Sequence, residues 1–170
     1  MPSYPYPRPC VTVDVLLLGR VPEGDRVVLI RRRNPPFAGS WALPGGFVDV
    51  GDTVGAQGED LPDAAARELA EETGLSGIPL RQVGAFGAPD RDPRHRTITV
   101  LYLGTVNGPL PAPRADDDAA EVAWLPLAAL LRGEEPLAFD HLELVRAVVG
   151  EHGQSSEANT KRTKGDDHEC

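Results

Sequence analysis

The sequence predicts an α+β fold in which a β-sheet lies between helices. Apolar segments of strand length come first, an acidic helical segment follows them, and further strands lead to a second helix near the C-terminus. Strands grouped in this way, rather than alternating one by one with helices, are typical of α+β domains. We therefore expect one sheet with helices packed on its faces.

Six segments carry strand patterns. Residues 10–18 (CVTVDVLLL) and 27–33 (VVLIRRR) are apolar runs, and residues 40–48 (SWALPGGFV) form a short strand interrupted by Pro44-Gly45-Gly46. Residues 79–88, 97–106 and 121–125 follow the helix, and TITVLYLGTV is the clearest because β-branched and aromatic residues fill it. Residues 127–131 predict a helical turn, and residues 138–149 predict an amphipathic helix.

The acidic helix is bounded by local signals. Asp60 can cap its N-terminus, Pro62 is tolerated in the first turn because its missing N–H would be unpaired anyway, and Gly74 suits its end. At about 100° per residue, the helix has one apolar face formed by Ala65, Ala66, Leu69 and Ala70.

Three carboxylates lie beside that face. Glu68, Glu71 and Glu72 are spaced i, i+3 and i+4, where like charges repel by a few tenths of a kcal/mol per pair. A divalent cation would relieve this repulsion, and clustered carboxylate oxygens suit Mg²⁺ or Mn²⁺. The alternative for such a string alone is a solvated acidic face without a ligand.

Composition limits the classes of function. A chain of 170 residues predicts one domain, here residues 10–150, preceded by a Pro-rich lead-in (1–9) and followed by a disordered polar tail (151–170). The net charge of −9 argues against nucleic acid as a partner, although a nucleotide can still bind through metal ions. Cys10 and Cys170 offer neither a disulfide framework nor a zinc spacing. Without a signal peptide or an apolar run of membrane-spanning length, we expect a soluble cytoplasmic protein that binds no membrane.

The segment RELAEETGL, residues 67–75, resembles the second half of the Nudix box. Glu59 lies eight positions before Arg67, which also fits the box. Gly46 does not fit, because it lies thirteen positions before Glu59 where the box has six. Removing seven residues, 51–57 or an overlapping window, restores the spacing as GGFVDVGED, so we interpret GDTVGAQ as an insertion whose ends stay close. Alternatively, Asp52, six after Gly46, takes the place of the loop glutamate.

The resemblance to Nudix hydrolases implies an α/β/α sandwich with a mixed sheet between helices, and a metal-dependent hydrolysis of a diphosphate. It implies that Glu71 and Glu72 are metal ligands, that Glu68 is a third ligand or orients the water, and that the backbone of Gly45 or Gly46 also approaches the metal. Arg67 and Glu59 are expected to form a structural pair, with a weak surface salt bridge as the alternative. Glu121, near the Asp116–Asp118 run, is a candidate ligand or base, or a solvated carboxylate.

Three further segments resemble the ADP-ribose pyrophosphatase branch: RRRNPPFAGSWALPGGFV, DRDPRHRTITVLYLGTV and LAFDHLELV. The resemblance implies cleavage of ADP-ribose to AMP and ribose 5-phosphate. Arg31 and Arg33 are candidates for the diphosphate, and Phe37 or Trp41 for adenine, with core packing as the alternative for the aromatics. His141 is expected to pack or to begin a helix rather than to act in catalysis.

Two alternatives remain at this point. The substrate could be a damaged nucleotide, a dinucleoside polyphosphate or a nucleotide sugar. The protein could also be a non-catalytic ADP-ribose sensor, since regulators with a similar domain exist. Only about twenty polar residues follow Val149, and all three box carboxylates are present, so we expect an enzyme. The resemblance also implies a possible homodimer.

Overall fold

A computed structural model describes residues 5–51, 57–115 and 119–160, the last ten of these by their backbone only. Its elements, in order, are β1 (Cys10–Arg20), β2 (Arg26–Arg32), β3 (Trp41–Ala42), β4 (Gly45–Phe47), α1 (Leu61–Thr73), β5 (Leu80–Phe86), β6 (Thr97–Asn107), β7 (Ala119–Pro126), α2 (Leu127–Leu131) and α3 (His141–Thr160). None of the described helices combines the length and hydropathy that a membrane span requires.

The strands form one mixed sheet in the order β3-β2-β1-β6-β5. β1 lies at its centre and pairs with β6 in parallel along its whole length, from Cys10–Thr97 to Arg20–Asn107. β4 pairs antiparallel with β1, and β7 pairs antiparallel with β2. The α+β expectation with a mixed sheet between helices is confirmed.

The side chains of β1 show how the two faces of the sheet are covered. Val13, Val15 and Leu17 pack with Ala65 and Leu69 of α1. Alternate residues, Leu16 and Leu18, pack on the other face with α2 and α3, where the core includes Leu130, Leu144, Val145 and Val148. Towards the start of β1 this second row becomes polar, at Asp14 and Thr12, and this change positions the site described below.

Helix α1 begins and ends as its sequence predicts. Asp60 accepts a hydrogen bond from the Leu61 amide at 2.8 Å, and Gly74 ends the helix at φ 69°. The predicted apolar face is only half right, because Ala66 is exposed and Ala70 half-buried. The buried residues are Ala64, Ala65, Leu69 and Thr73. Thr73 is buried because its hydroxyl donates to the Leu69 carbonyl, so its polarity is satisfied inside the helix.

Helix α3 differs from the prediction at both ends. It begins at His141 rather than residue 138, and it extends to Thr160, so the backbone of residues 151–160 is helical where a disordered tail was expected. Extending a helix that already exists costs less than starting one, and no proline interrupts these polar residues. Residues 161–170, together with residues 1–4 of the lead-in, lie outside the described part of the chain.

Candidate active site

A cavity of about 400 Å³ lies at the polar end of β1. Two groups of residues line it. The box wall consists of Gly45, Gly46, Arg67, Glu68 and Glu72, from β4 and α1. The arginine wall consists of Arg91, Asp92, Arg94, Phe139 and His141, from the β5–β6 loop and the start of α3.

Two glycines allow the box wall to close. A Cβ on Gly45 would lie 2.2 Å from the Val13 carbonyl oxygen, and one on Gly46 would lie 2.4 Å from Glu68 Oε1. A larger residue at Gly45 would therefore push β4 away from the backbone of β1, and one at Gly46 would displace the Glu68 carboxylate. The Gly45 amide instead donates to Glu72 Oε2 at 2.9 Å.

Burial raises the pKa values of the two carboxylates of the box wall. Desolvation raises the pKa of Glu72 to about 8, even though the hydrogen bond from Gly45 lowers it. Desolvation also raises the pKa of Glu68, against the lowering effect of Arg67. Keeping these carboxylates charged in a desolvated position costs free energy, and a positive charge in the cavity would reduce that cost.

Arg67 connects the box helix to the preceding loop. Its guanidinium donates to Glu59 through Nε at 3.0 Å and Nη2 at 2.6 Å, and through Nη1 to Glu68 at 2.9 Å and Glu71 at 3.0 Å. Arg67 Nη2 also reaches the Phe47 carbonyl at 3.2 Å. The pair with Arg67 lowers the pKa of Glu59. Glu59 and Arg67 therefore have the geometry of a structural pair rather than of a weak surface bridge.

The ends of the predicted insertion are close together. The Glu59 amide donates to the Asp49 carbonyl at 2.9 Å, and the Asp49 amide donates to Glu59 Oε1 at 2.9 Å. Both contacts join residues on either side of the excursion, so the chain leaves and returns at one point. Asp52, the alternative loop acid, lies outside the described residues.

Two of the three helix carboxylates fit a divalent cation. Glu68 and Glu72 offer desolvated oxygens on the cavity wall, which is the donor chemistry that Mg²⁺ or Mn²⁺ prefers. Glu71 does not join them, because its exposed carboxylate does not line the cavity and is bound to Arg67 instead. Accordingly, the described residues contain no group of three acidic, histidine or cysteine side chains arranged as a metal site. The ligand set predicted from sequence is thus assembled only in part, at Glu68 and Glu72, with the Gly45 amide bound to Glu72.

The arginine wall is held by a buried ion network. The Arg91 side chain is 4% exposed and donates to Asp140 through Nε at 3.0 Å and Nη2 at 2.8 Å. Its Nη2 also lies 3.4 Å from Asp14 Oδ2, to which the Thr99 hydroxyl donates at 2.6 Å. Neither the helix pattern nor the box resemblance indicates Asp14, although an acid inside the apolar run VTVDVLLL is a sequence signal for such a site residue.

Arginines and an aromatic ring complete this wall. Arg94 forms a bidentate pair with Asp92, which holds the pKa of Asp92 at about 2. The guanidinium of Arg32, from β2, lies 4.8 Å from the centre of the Phe139 ring, and Arg32 also lines the cavity. Phe139 has φ 54°, a left-handed conformation that is uncommon outside glycine.

Several predicted binding residues lie elsewhere. Arg32, rather than Arg31 or Arg33, lines the cavity, because neighbouring strand residues point to opposite faces. Arg31 instead lies 4.8 Å over the Trp41 ring and 3.6 Å from Glu121, so Glu121 pairs with a strand residue outside the cavity. Trp41 is 5% exposed within the core. Phe37 contacts the Phe139 ring at 4.9 Å but does not line the cavity. Residues 116–118 are not described.

The mixed sheet between helices and the glutamate-bearing helix against a glycine turn define a Nudix domain. The model of the NUDIX domain family matches residues 9–148. The chain therefore belongs to the Nudix family, and the resemblance stated from its sequence is confirmed.

Known proteins resemble this chain in sequence as well as in fold. The chain is 38% identical over 142 residues to the ADP-ribose pyrophosphatase of Methanocaldococcus jannaschii, covering 83% of this chain and 73% of that protein. It is 38% identical over 143 residues to the ADPR responsive transcriptional repressor NtrR of Acinetobacter baylyi, of which it covers 53%. The NUDIX domain of Shewanella oneidensis NrtR, solved in complex with ADP ribose, superposes with a TM-score of 0.74 at 34% identity, covering 86% of this chain and 90% of that domain.

Proposed function

We propose that this protein hydrolyses ADP-ribose to AMP and ribose 5-phosphate, using Mg²⁺ or Mn²⁺. The observation that carries the proposal is the pairing of desolvated Glu68 and Glu72 with Arg32 around one cavity. Acids alone would repel a diphosphate, and a cation between them and the substrate would reverse that repulsion. The archaeal ADP-ribose pyrophosphatase and the domain solved with ADP ribose support the choice of substrate.

Each wall has a distinct task in this proposal. Glu68 and Glu72 would hold the cation, which, when bound, neutralises the diphosphate and lowers the pKa of a bound water. The Gly45 amide fixes Glu72, and Arg67 fixes Glu68 against the helix. The Arg32 guanidinium, beside Glu72, would contact diphosphate oxygens. Hydrolysis adds one water across the diphosphate bridge, so one product gains its oxygen.

A second candidate is an ADP-ribose sensor without turnover. Two observations favour it: a transcriptional repressor is as similar in sequence as the hydrolase, and Glu71 is bound to Arg67 rather than grouped with Glu68 and Glu72. The chain spans only about half of that repressor. The two candidates differ in turnover, not in ligand, so binding alone cannot separate them.

The decisive experiment compares ADP-ribose, ADP-glucose, a diadenosine polyphosphate and 8-oxo-dGTP at equal concentrations. Each is assayed with Mg²⁺, with Mn²⁺ and with excess chelator, in ¹⁸O-labelled water. We expect ADP-ribose to have the highest kcat/KM, no turnover with chelator, and the label in one product only. Tight calorimetric binding of ADP-ribose without turnover would favour the sensor, and preference for another nucleotide would refute the substrate assignment.

A further inference from the structure

His141 is a buried side chain to which the proposed hydrolysis gives no task. It belongs to the LAFDH segment, begins α3, and is 4% exposed at the cavity wall. Burial lowers its pKa, so the ring is neutral near pH 7. A neutral imidazole has one donor nitrogen and one acceptor nitrogen, and its neighbours show which is which.

The backbone fixes the tautomer of this ring. The Leu43 amide donates to His141 Nδ1 at 2.9 Å, so Nδ1 carries no proton. The proton is therefore on Nε2, which faces Asp14 Oδ1 at 3.5 Å. Asp14 is itself held by the Thr99 hydroxyl and by Arg91, so the ring is braced against a fixed carboxylate.

The bond to Leu43 acts on the turn that holds Glu72. Residues 43–44 form the turn that connects β3 to β4, and the amide of Gly45, the first residue of β4, donates to Glu72 at 2.9 Å. The turn is secured on one side by the Val15 amide, which donates to the Pro44 carbonyl at 2.8 Å. The His141 ring secures it one residue earlier, from the side of α3. Two attachments at successive residues leave the Gly45 amide little freedom to turn away from Glu72.

We propose that His141 is a positioning residue, whose Nδ1 holds the Leu43 amide so that the Gly45 amide stays directed at Glu72. His141 touches neither substrate nor cation in this role. It couples the arginine wall to the box wall, because Asp14 and Arg91 support the ring that supports the turn. The kinetic part of this inference rests on the proposed hydrolysis, whereas its structural part does not.

Two substitutions separate this hydrogen bond from simple packing. In His141→Asn the amide oxygen can occupy the position of Nδ1 and still accept from Leu43. In His141→Gln the amide reaches towards the position of Nε2 and Asp14, and the acceptor near Leu43 is lost. Both variants remove the ring and bury an amide, so a purely structural role predicts similar losses in both.

Three readouts compare these variants with the wild type. For His141→Gln we expect amide exchange at Leu43 and Gly45 to accelerate by roughly fivefold to tenfold, as the loss of one hydrogen bond implies. We expect its Mn²⁺ affinity, measured by electron paramagnetic resonance without substrate, and its kcat to fall by about 10- to 100-fold, with KM for ADP-ribose nearly constant. His141→Asn should retain most of the wild-type exchange protection and Mn²⁺ affinity.

The outcomes that overturn the proposal are distinct from those that refute the hydrolysis. Equal losses in both variants, or wild-type Gly45 exchange and Mn²⁺ affinity in His141→Gln, would leave His141 as packing only. Nitrogen NMR of the wild-type imidazole supplies a test that needs no variant, because a proton on Nδ1 would also overturn it. A wild type that binds Mn²⁺ but does not cleave ADP-ribose refutes the hydrolysis alone, since exchange and metal binding still report on His141.

Discussion

The two walls of the cavity are built in opposite ways. In the box wall, Arg67 reaches Glu68 and Glu71 within one helical turn and Glu59 eight residues away. In the arginine wall, Arg91 binds Asp140, 49 residues away, and the contacts that support this wall join Asp14 to Thr99, 85 residues apart, and His141 to Leu43, 98 residues apart. One wall is thus mainly a product of local chain geometry, and the other depends on the tertiary fold.

The walls also differ in their charge balance. The carboxylates of Glu68 and Glu72 are desolvated, and their pKa values are raised. In the arginine wall, Arg91 forms ion pairs with Asp140 and Asp14, and Arg94 forms one with Asp92. A wall with excess acid is suited to an added cation, whereas a balanced wall is stable by itself. Removing a charge should therefore reduce activity on the first wall and stability on the second.

The largest expected effect is on activity, at Glu72. Glu72→Gln keeps the shape and an oxygen that can accept from Gly45 but removes the charge, so we expect kcat to fall by at least about 10²-fold. Far-UV circular dichroism should be unchanged. Glu143→Gln, an identical substitution on an exposed residue of α3, is the matched control and should retain wild-type activity. Near-normal turnover in Glu72→Gln would remove Glu72 from the proposed site.

The same variant should change stability in a pH-dependent way. Burial raises the pKa of Glu72 from 4.5 to about 8, so the folded protein keeps a proton that the unfolded chain releases. Stability through this group is therefore lost as the pH rises from 4.5 to 8. Because Gln does not ionise, Tm of Glu72→Gln minus Tm of the wild type should be near zero at pH 4.5 and positive at pH 8, without metal. A difference independent of pH would contradict the desolvation of Glu72.

The largest expected loss of stability lies in the arginine wall. Arg91→Met leaves Asp140 and Asp14 without their shared cation, and breaking a buried pair in this way typically costs about 3–5 kcal/mol. Urea unfolding of Arg91→Met and of the double variant Arg91→Met/Asp140→Asn measures this cost. The double variant should recover part of the loss, because it removes one of the stranded charges. If Arg91→Met unfolds like the wild type, the network contributes nothing and the contrast between the walls fails.

The same contrast explains how far the sequence alone could predict the site. The positions of Glu68 and Glu72, the cap at Asp60 and the Gly74 terminus follow from helix periodicity and local signals, the Arg67–Glu59 pair follows from the resemblance to the Nudix box, and the structure contains them all. The contacts among Asp14, Arg91 and His141 form only after β1 and β6 pair in parallel. No local sequence pattern specifies the register of that pairing. The sequence does not reveal which face of β2 lines the cavity, so it cannot select Arg32 within the run Arg31–Arg33. Helix periodicity groups Glu71 with Glu68 and Glu72, but it also places Glu71 at i+4 from Arg67, and only the structure shows that the contact with Arg67 forms.

A smaller effect tests the alignment of the box. Glu59→Gln weakens the bidentate contact with Arg67 and the contact with the Asp49 amide, so we expect a loss of about 1 kcal/mol in the free energy of unfolding. Asp52→Asn, the matched change at the competing acid, should alter stability and kcat little. Thermal melts and steady-state kinetics on both variants decide between them. The reverse ranking would show that Asp52 serves as the loop acid.

The smallest expected effect comes from the largest change, deletion of residues 51–57. The chain leaves the box wall at Asp49 and returns at Glu59, and the two hydrogen bonds between these residues close the excursion at its base. Shortening a loop changes its closure entropy only slowly, by about 0.6 kcal/mol for each halving of length, so urea unfolding should show a difference below about 1 kcal/mol. The deletion variant should cleave ADP-ribose at a similar or higher rate.

Gly58→Ala in the full chain is the contrasting variant, because Gly58 has φ 76° and its Cβ would lie 2.0 Å from the Asp49 carbonyl oxygen. That single methyl group should destabilise the protein more than the loss of seven residues, since it strains the point where the excursion closes. If the deletion is instead the more damaging change, the excursion is part of the box wall, and the closing contacts between Asp49 and Glu59 do not define its base.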